Sequence, residues 1–413
     1  MLARAAALLL VLGSLFGVAP AAQAAVACDG HRATLVGTRG DDVLIGTRGD
    51  DVIAGLTGSD SIDGRGGNDR ICGGYGADQL RGGPGRDRVF GGPDRVAFDD
   101  EGSASIGDTL RGGPGRDRLV PGLDTRPVDD VNHDAIMWDT SPRSVHIDAA
   151  AGVAAGDGPD SFVGTATWLV GSRFGDVIDG SAGPDLLNGA QGADVVRAGA
   201  GADTVLADTG GGSGGDDRVW GGPGDDKLSS LGGQDVIHGG LGDDIIDDTG
   251  NSADVLAGEA GNDLVIGEIV RSDLPQVYAG GPGRDQVSIF SNLLNPTAAP
   301  SRATWDMGSG ALVVDFQGEQ HVTASGFEEG NLSTFGAAWN VRGTDGDDMV
   351  NVGSMRGSTF LGLGGNDSFL GTAFDDNYDG GAGTDRSLGM GEGFDTCVSV
   401  EVLAPDGCES VSP

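Results

Sequence analysis

The chain has 413 residues, 79 of them glycine, and a formal net charge of −38, with Lys227 as its one lysine. Such acidity excludes a nucleic-acid footprint or an anionic-membrane surface, both of which need clustered positive charge. Acidity alone implies only solubility, but these aspartates recur at a fixed interval, and that points to metal.

Residues 1–27 read as a secretory leader. Arg4 precedes an apolar run, Ala5–Val18, that is too short to span a bilayer. Ala22-Gln23-Ala24 and Ala25-Val26-Ala27 both suit cleavage, so an extracellular destination is expected. Cys28, next to Ala27, also admits a lipidated amino terminus. Four cysteines, an even number, suit an oxidising exterior. The expected pairs are Cys28–Cys72 and Cys397–Cys408, each clamping an end of a stack of coils. No two cysteines have the CxxC spacing of a redox or zinc motif.

From Gly37 to Phe90 the chain can be written in nines: GTRGDDVLI, GTRGDDVIA, GLTGSDSID, GRGGNDRIC, GGYGADQLR, GGPGRDRVF. Each line has Gly first, Gly fourth, Asp sixth and an aliphatic residue eighth. The sixth places are Asp42, Asp51, Asp60, Asp69, Asp78 and Asp87, and the eighth are Leu44, Ile53, Ile62, Ile71, Leu80 and Val89. Glycine at a fixed place means positive φ or close backbone approach. A turn at a fixed period gives a coil rather than a globule. The last three residues of each line suit a very short strand with one side chain facing in. Stacked coils then make two parallel sheets and bring the aspartates of neighbouring coils together. One buried aliphatic per nine ordered residues does not offset the cost of ordering the backbone. A hard dication held by carboxylate and carbonyl oxygens makes up the difference, and calcium accepts six to eight such ligands in flexible geometry.

The lines fit GGxGxDxUx, and the chain resembles hemolysin-type, or RTX, calcium-binding repeat proteins. The resemblance implies an all-β parallel β-roll. In such a roll the sixth-position aspartates and the turn carbonyls, here of Gly40, Gly49, Gly58, Gly67, Gly76 and Gly85, bind several calcium ions between coils.

Residues 28–120 form the first expected roll. It decays after Gly91 and ends in a stray copy, Gly112–Val120, carrying Asp117; a degenerate line before that copy keeps Asp108 and Leu110. Residues 121–170 break the pattern and read as a β insert or cap, with strands at Ala135–Trp138, Ser144–Asp148 and Thr165–Val170. Residues 171–288 form a second roll with Asp176, Asp185, Asp194, Asp203, Asp217, Asp226, Asp235, Asp244, Asp254, Asp263 and Asp285 at the sixth place. Its register is disturbed at Phe174, at Ala207–Gly211 and at Gly267–Ala279, so coordination near those breaks is open. Residues 289–342 form a second insert, with an expected strand at Leu312–Phe316. Trp305-Asp306 in it parallels Trp138-Asp139, and the two inserts read equally well as related modules or as unrelated β segments. Residues 343–413 form a third roll, with Asp348, Asp367, Asp376 and Asp385, closed by a disulfide-pinned strand.

Motifs for catalysis are scarce. Gly211-Gly212-Ser213-Gly214-Gly215 matches GxSxG but lacks the strand-turn-helix setting of a nucleophile elbow. His31, His133, His146, His238 and His321 form no HExxH. Arg39-Gly40-Asp41 and Arg48-Gly49-Asp50 spell an adhesion tripeptide that the repeat already explains. In paired aspartates such as Asp225-Asp226 and Asp243-Asp244, the sixth-position member is expected to face metal and the fifth to face solvent. Three functions compete: a calcium-stabilised structural or surface-interaction protein without enzymatic activity, a hydrolase-like enzyme with its site in the inserts, and a calcium-responsive toxin or adhesin.

Overall fold

The computed structural model describes residues 26–93, 107–122, 134–163, 168–208, 214–248, 250, 252–269, 276–291, 302–315, 319–334, 338–354, 356–389, 393–402, 408 and 410–412. Nearly all of the expected leader lies outside these residues, as do His133 and Ser213.

Successive nonapeptides alternate between two long sheets, so one coil is two lines. Leu44 lies opposite Ile62 and Ile62 opposite Leu80 in one sheet; Ile53 lies opposite Ile71 and Ile71 opposite Val89 in the other. All these pairings are parallel. Among the described residues the first sheet has 16 strands and runs from Val43–Ile45 to Arg386–Gly389. The second runs from Leu35–Val36 to Ser410–Ser412. Regular strands such as Val43–Ile45 and Gln79–Arg81 are three residues long, with only the middle side chain buried. This is the period-2 alternation that a short strand against a thin core requires. The eighth-position residues Ile53, Ile71 and Val89 are fully buried. In the third roll the same column is aromatic: Phe360, Phe369 and Tyr378 pack with centroids 5.5–5.6 Å apart, Phe360 stacked on Tyr378 and Phe369 tilted against both.

The two inserts share one topology. Arg118–Val120 pairs in parallel with Pro159–Phe162, which turns back antiparallel through Val153–Ala155 to His146–Asp148, and His146–Asp148 pairs in parallel with Val177–Asp179. Gln276–Ala279, Glu319–Ser325, Ala311–Asp315, Arg302–Asp306 and Ala338–Arg342 repeat that order. The other sheet passes each insert on parallel strands, Ala135–Met137 and Glu329–Thr334. Both ladders therefore run through the inserts. Trp138 and Trp305 fill the wider core there; their indole N–H groups donate to Asp160 Oδ2 at 3.0 Å and to the Ala324 carbonyl at 2.9 Å.

Both expected disulfides are formed, each with Cα atoms 5.7 Å apart. Cys28 belongs to a two-stranded antiparallel ribbon, Ala27–Cys28 with His31–Arg32, and is tied to Cys72 in Arg70–Tyr75.

Candidate metal centre

The sixth-position aspartates line up on the two edges of the solenoid as ladders. Each aspartate amide donates to Oδ1 of the aspartate in the next coil. In the first roll Asp42 donates to Asp60 and Asp60 to Asp78 on one edge, at 2.8 and 2.7 Å; Asp51 donates to Asp69 and Asp69 to Asp87 on the other, both at 2.8 Å. In the second roll one ladder passes through Asp176, Asp194, Asp217, Asp235 and Asp254. The other passes through Asp185, Asp203, Asp226, Asp244, Asp263 and Asp285. The third roll carries Asp348, Asp367 and Asp385 on one edge and Asp376 on the other, where Asp376 accepts from the Ser358 amide.

The ladders also recruit residues the nonapeptide spacing did not mark. Asp134 and Asp160 continue the first-roll ladders past the register break: Asp108, which the degenerate line already keeps, donates to Asp134 at 2.8 Å, and Asp117 donates to Asp160 at 2.9 Å. Glu328 accepts from Asp285, Glu401 from Asp385 and Asp395 from Asp376. A carboxylate opposite the last amide in space was the signal, and it cannot be read from spacing in the chain.

The second carboxylate oxygen divides the aspartates into two kinds. Oδ2 of Asp60, Asp69, Asp78, Asp87, Asp117, Asp194, Asp203, Asp217, Asp226, Asp244, Asp263, Asp285, Asp367 and Asp385 is buried with no hydrogen-bond partner. Beside several of them lies a first-position carbonyl from the next coil, that of Gly73 at Asp60, Gly239 at Asp226 and Ala207 at Asp194. A β-carbon on Gly64 would be 2.5 Å from Asp69 Oδ2 and 2.7 Å from the Gly82 carbonyl oxygen, so glycine there leaves the space between these oxygens open, although the Asp203 line carries Ala198 at the same place. The fourth-position carbonyls also lie close to the next coil, the Gly58 carbonyl oxygen standing where it would clash with a β-carbon on Gly76.

The other kind opens each ladder and has serine or threonine at position two. Asp42, Asp51, Asp185, Asp348 and Asp376 take the amides of Thr38, Thr47, Ser181, Thr344 and Thr372 on Oδ2 at 2.5–2.6 Å. Asp176 takes the amide of Ser172 in the same way. The hydroxyls of Thr38, Thr47, Ser172, Thr344 and Thr372 add a further bond to the carboxylate. In later coils position two turns to positive φ, even as Leu56, Arg65, Ala190, Glu259 or Leu363, and its amide turns to the following coil: Glu259 donates to the Gly280 carbonyl at 2.9 Å. Such strain in a non-glycine residue costs about 1–3 kcal/mol and persists only where the surroundings enforce it.

The fifth position faces solvent and forms an outer ladder of opposite polarity. Ser59, Asn68, Gln234, Asp243 and Asn366 donate their amides back to Oδ1 of Asp41, Asp50, Asp216, Asp225 and Asp347 at 2.7–3.0 Å. The aspartates of both Arg-Gly-Asp tripeptides belong to this ladder.

The inner aspartates bear the electrostatic cost. Burial pushes Asp78, Asp87, Asp194, Asp244 and Asp367 up to about 7 and Asp117 up to about 8; the amide bond from the previous coil opposes the rise and neighbouring carboxylates add to it. A partnerless buried carboxylate oxygen is costly. A divalent cation shared between Asp Oδ2 and turn carbonyls removes both penalties, and an all-oxygen donor set of this kind suits calcium. The buried, partnerless oxygens fit such an ion. The capped aspartates at the ladder starts already have donors.

Residues 36–71, 73–95, 170–205, 211–246 and 248–269 match the family described as RTX calcium-binding nonapeptide repeat (4 copies). These are RTX repeats. No curated protein matches the chain. The RTX matches fall on the first two rolls, where the partnerless oxygens are most regular, and the same ladder continues in the third roll.

Among the described side chains, His146 and His238 stand in separate settings. His146 pairs with Asp179 at 2.9 Å, and His238 pairs with Glu259 at 2.8 Å while stacking on Trp220. A pocket in the second insert is lined mainly by apolar surface of Trp305, Val313, Val341 and Leu361, with the Asp306–Arg342 pair (3.4 Å) at its edge.

Proposed function

We propose that this is a secreted protein whose RTX roll folds around several calcium ions, with a structural or surface-interaction role. The observation that carries the reading is the column of buried, partnerless Asp Oδ2 atoms, several of which, as at Asp60, Asp69, Asp78, Asp226 and Asp244, lie beside a glycine carbonyl from the next coil. Asp60, Asp69, Asp78, Asp87, Asp117, Asp194, Asp203, Asp217, Asp226, Asp244, Asp263, Asp285, Asp367 and Asp385 are the aspartates assigned to calcium, and the first-position carbonyls are the backbone ligands. The capped aspartates Asp42, Asp51, Asp176, Asp185, Asp348 and Asp376 serve as ends of the ladders. The Cys28–Cys72 and Cys397–Cys408 bonds support an oxidising, extracellular setting.

Calcium titration of the metal-stripped protein, followed by far-UV circular dichroism and limited proteolysis, tests the reading. The expected result is a cooperative gain of β signal and protease resistance that excess EDTA reverses. A metal-free protein already compact and protease-resistant at neutral pH would refute it.

A further inference from the structure

In the second roll, one edge carries acidic side chains that the nonapeptide does not call for. Asp248 stands at the first position of its line, where the repeat places glycine. In the ladder it lies opposite Ser230 of the coil before. Its carboxylate turns inward toward the sixth-position aspartates Asp235 and Asp254. One oxygen from each of the three lies within 4.8 Å of the others, and their residues are only 1–2% exposed. Asp235 accepts from Ser230 Oγ at 2.7 Å, Asp254 accepts from Ser252 Oγ at 3.1 Å, and Asp248 Oδ1 accepts from the Gly250 amide at 3.0 Å. Asp248 Oδ2 is buried without a partner.

A second, separate sign comes from Asp208 on the preceding coil. It is 5% exposed, burial pushes its carboxyl above the ordinary range against the pull of the Gly215 amide and the Asp217 and Ser230 side chains, and its charge acts on both Asp217 and Asp235. A β-carbon on Gly214 would meet Asp208 Oδ2 and the Gly232 carbonyl oxygen together. Among the described residues none of these five carboxylates pairs with a basic side chain. Burial and the charge of Asp254 push Asp248 up to about 8.

We propose that Asp235, Asp248 and Asp254 hold a divalent cation of the calcium class at a three-carboxylate site, with Asp208 flanking it, distinct from the turn sites that rely on backbone carbonyls. More carboxylate charge on one ion makes this the tightest site of the roll. The proposal rests on the calcium reading given above.

Equilibrium dialysis of the full chain against calcium, with bound metal counted per chain, provides the test. Asp248→Asn and Asp248→Ser are compared with Asp225→Asn, a fifth-position control that keeps its acceptor oxygen. Asp248→Ser copies the residue the ladder carries at Ser230, which guards against a folding failure. Both Asp248 variants are expected to lose one ion per chain and the tightest phase of the isotherm, while Asp225→Asn loses neither. If the wild type binds several ions and both Asp248 variants bind as many with the same isotherm, the three-carboxylate site is overturned while the turn sites stand. A wild type that binds no calcium overturns both readings.

Discussion

The Asp42 amide donates to Asp60 Oδ1 at 2.8 Å, one coil further on, and leaves Asp60 Oδ2 buried without a partner. Asp60 therefore has two separable roles, as acceptor in the ladder and as charge for a cation. Asp60→Asn keeps the acceptor and drops the charge, so its calcium midpoint should rise while its calcium-saturated spectrum stays that of the wild type. Asp60→Ala should also strand the Asp42 amide, costing about 1–3 kcal/mol of stability in saturating calcium. Asp50→Ala removes an acceptor for the Asn68 amide on the exposed outer ladder and should move the midpoint far less. Calcium titrations followed by circular dichroism make the comparison, and equal shifts for Asp60→Ala and Asp50→Ala would refute the assignment.

Thr372 tests the ladder starts. Its hydroxyl lies 3.1 Å from both oxygens of Asp376, and its amide also binds that carboxylate. If this cap stands where other coils hold an ion, Thr372→Val should cost about 1 kcal/mol equally in calcium and in EDTA at a pH where the metal-free protein remains folded. Asp367→Asn, on a partnerless oxygen, should lose stability chiefly in calcium. Melting temperatures in the two buffers separate the cases; a Thr372→Val defect that calcium fully repairs would count against the cap.

Two glycines at the same repeat position should respond differently to alanine. Gly67 has φ +119°, and a β-carbon there would run into the backbone of Gly49 and Asp50. Gly49 opens its ladder, lacks positive φ, and has only Thr47 Oγ1 at 3.9 Å from where a β-carbon would sit. Gly49→Ala should be neutral or stabilise by up to about 1 kcal/mol through the unfolded chain, whereas Gly67→Ala should destabilise by about 1–3 kcal/mol. Thermal unfolding in saturating calcium measures both. The requirement for glycine comes from the coil underneath, so a rule applied to every fourth position overstates it at Gly40 and Gly49.

That contrast shows what the sequence could and could not convey. The ninefold period specified the parallel coil, the buried column at Ile53, Ile71 and Val89, and the inward sixth aspartate, because each follows from local periodicity. The disulfide pairs followed from where the cysteines stand relative to the ends of the repeats. What escaped depends on stacking. Thr38 and Thr344 sit at a position the pattern leaves variable, and their role appears only when no earlier repeat line lies beneath them. Asp134, Asp160, Glu328 and Glu401 join ladders across irregular spacings that no fixed period reaches. The strands Val153–Ala155 and Pro159–Phe162 are short and lie among glycine, proline and aspartate, so they read as turns, yet they carry the antiparallel return of the first insert.

The pH dependence of the metal-free protein should run opposite to that of the calcium-loaded one. Asp87 and Asp194 are pushed up to about 7, Asp117 to about 8 and Asp217 to about 9, against an ordinary value of 3.8. Groups whose pKa is raised in the folded state bind protons more tightly there than in the unfolded chain. Their contribution is therefore complete below 3.8 and is lost as pH rises through about 7 to 9. Metal-free protein should hold most β structure near pH 4–5 and lose it towards pH 9. Calcium needs the same carboxylates ionised, so its midpoint should rise as pH falls below about 7, because protons compete for Oδ2. Circular dichroism at graded pH, with EDTA and with saturating calcium, reads both limbs. A metal-free protein more ordered at pH 8 than at pH 5 would show that the inner carboxylates are charged and stabilised by something other than the ion.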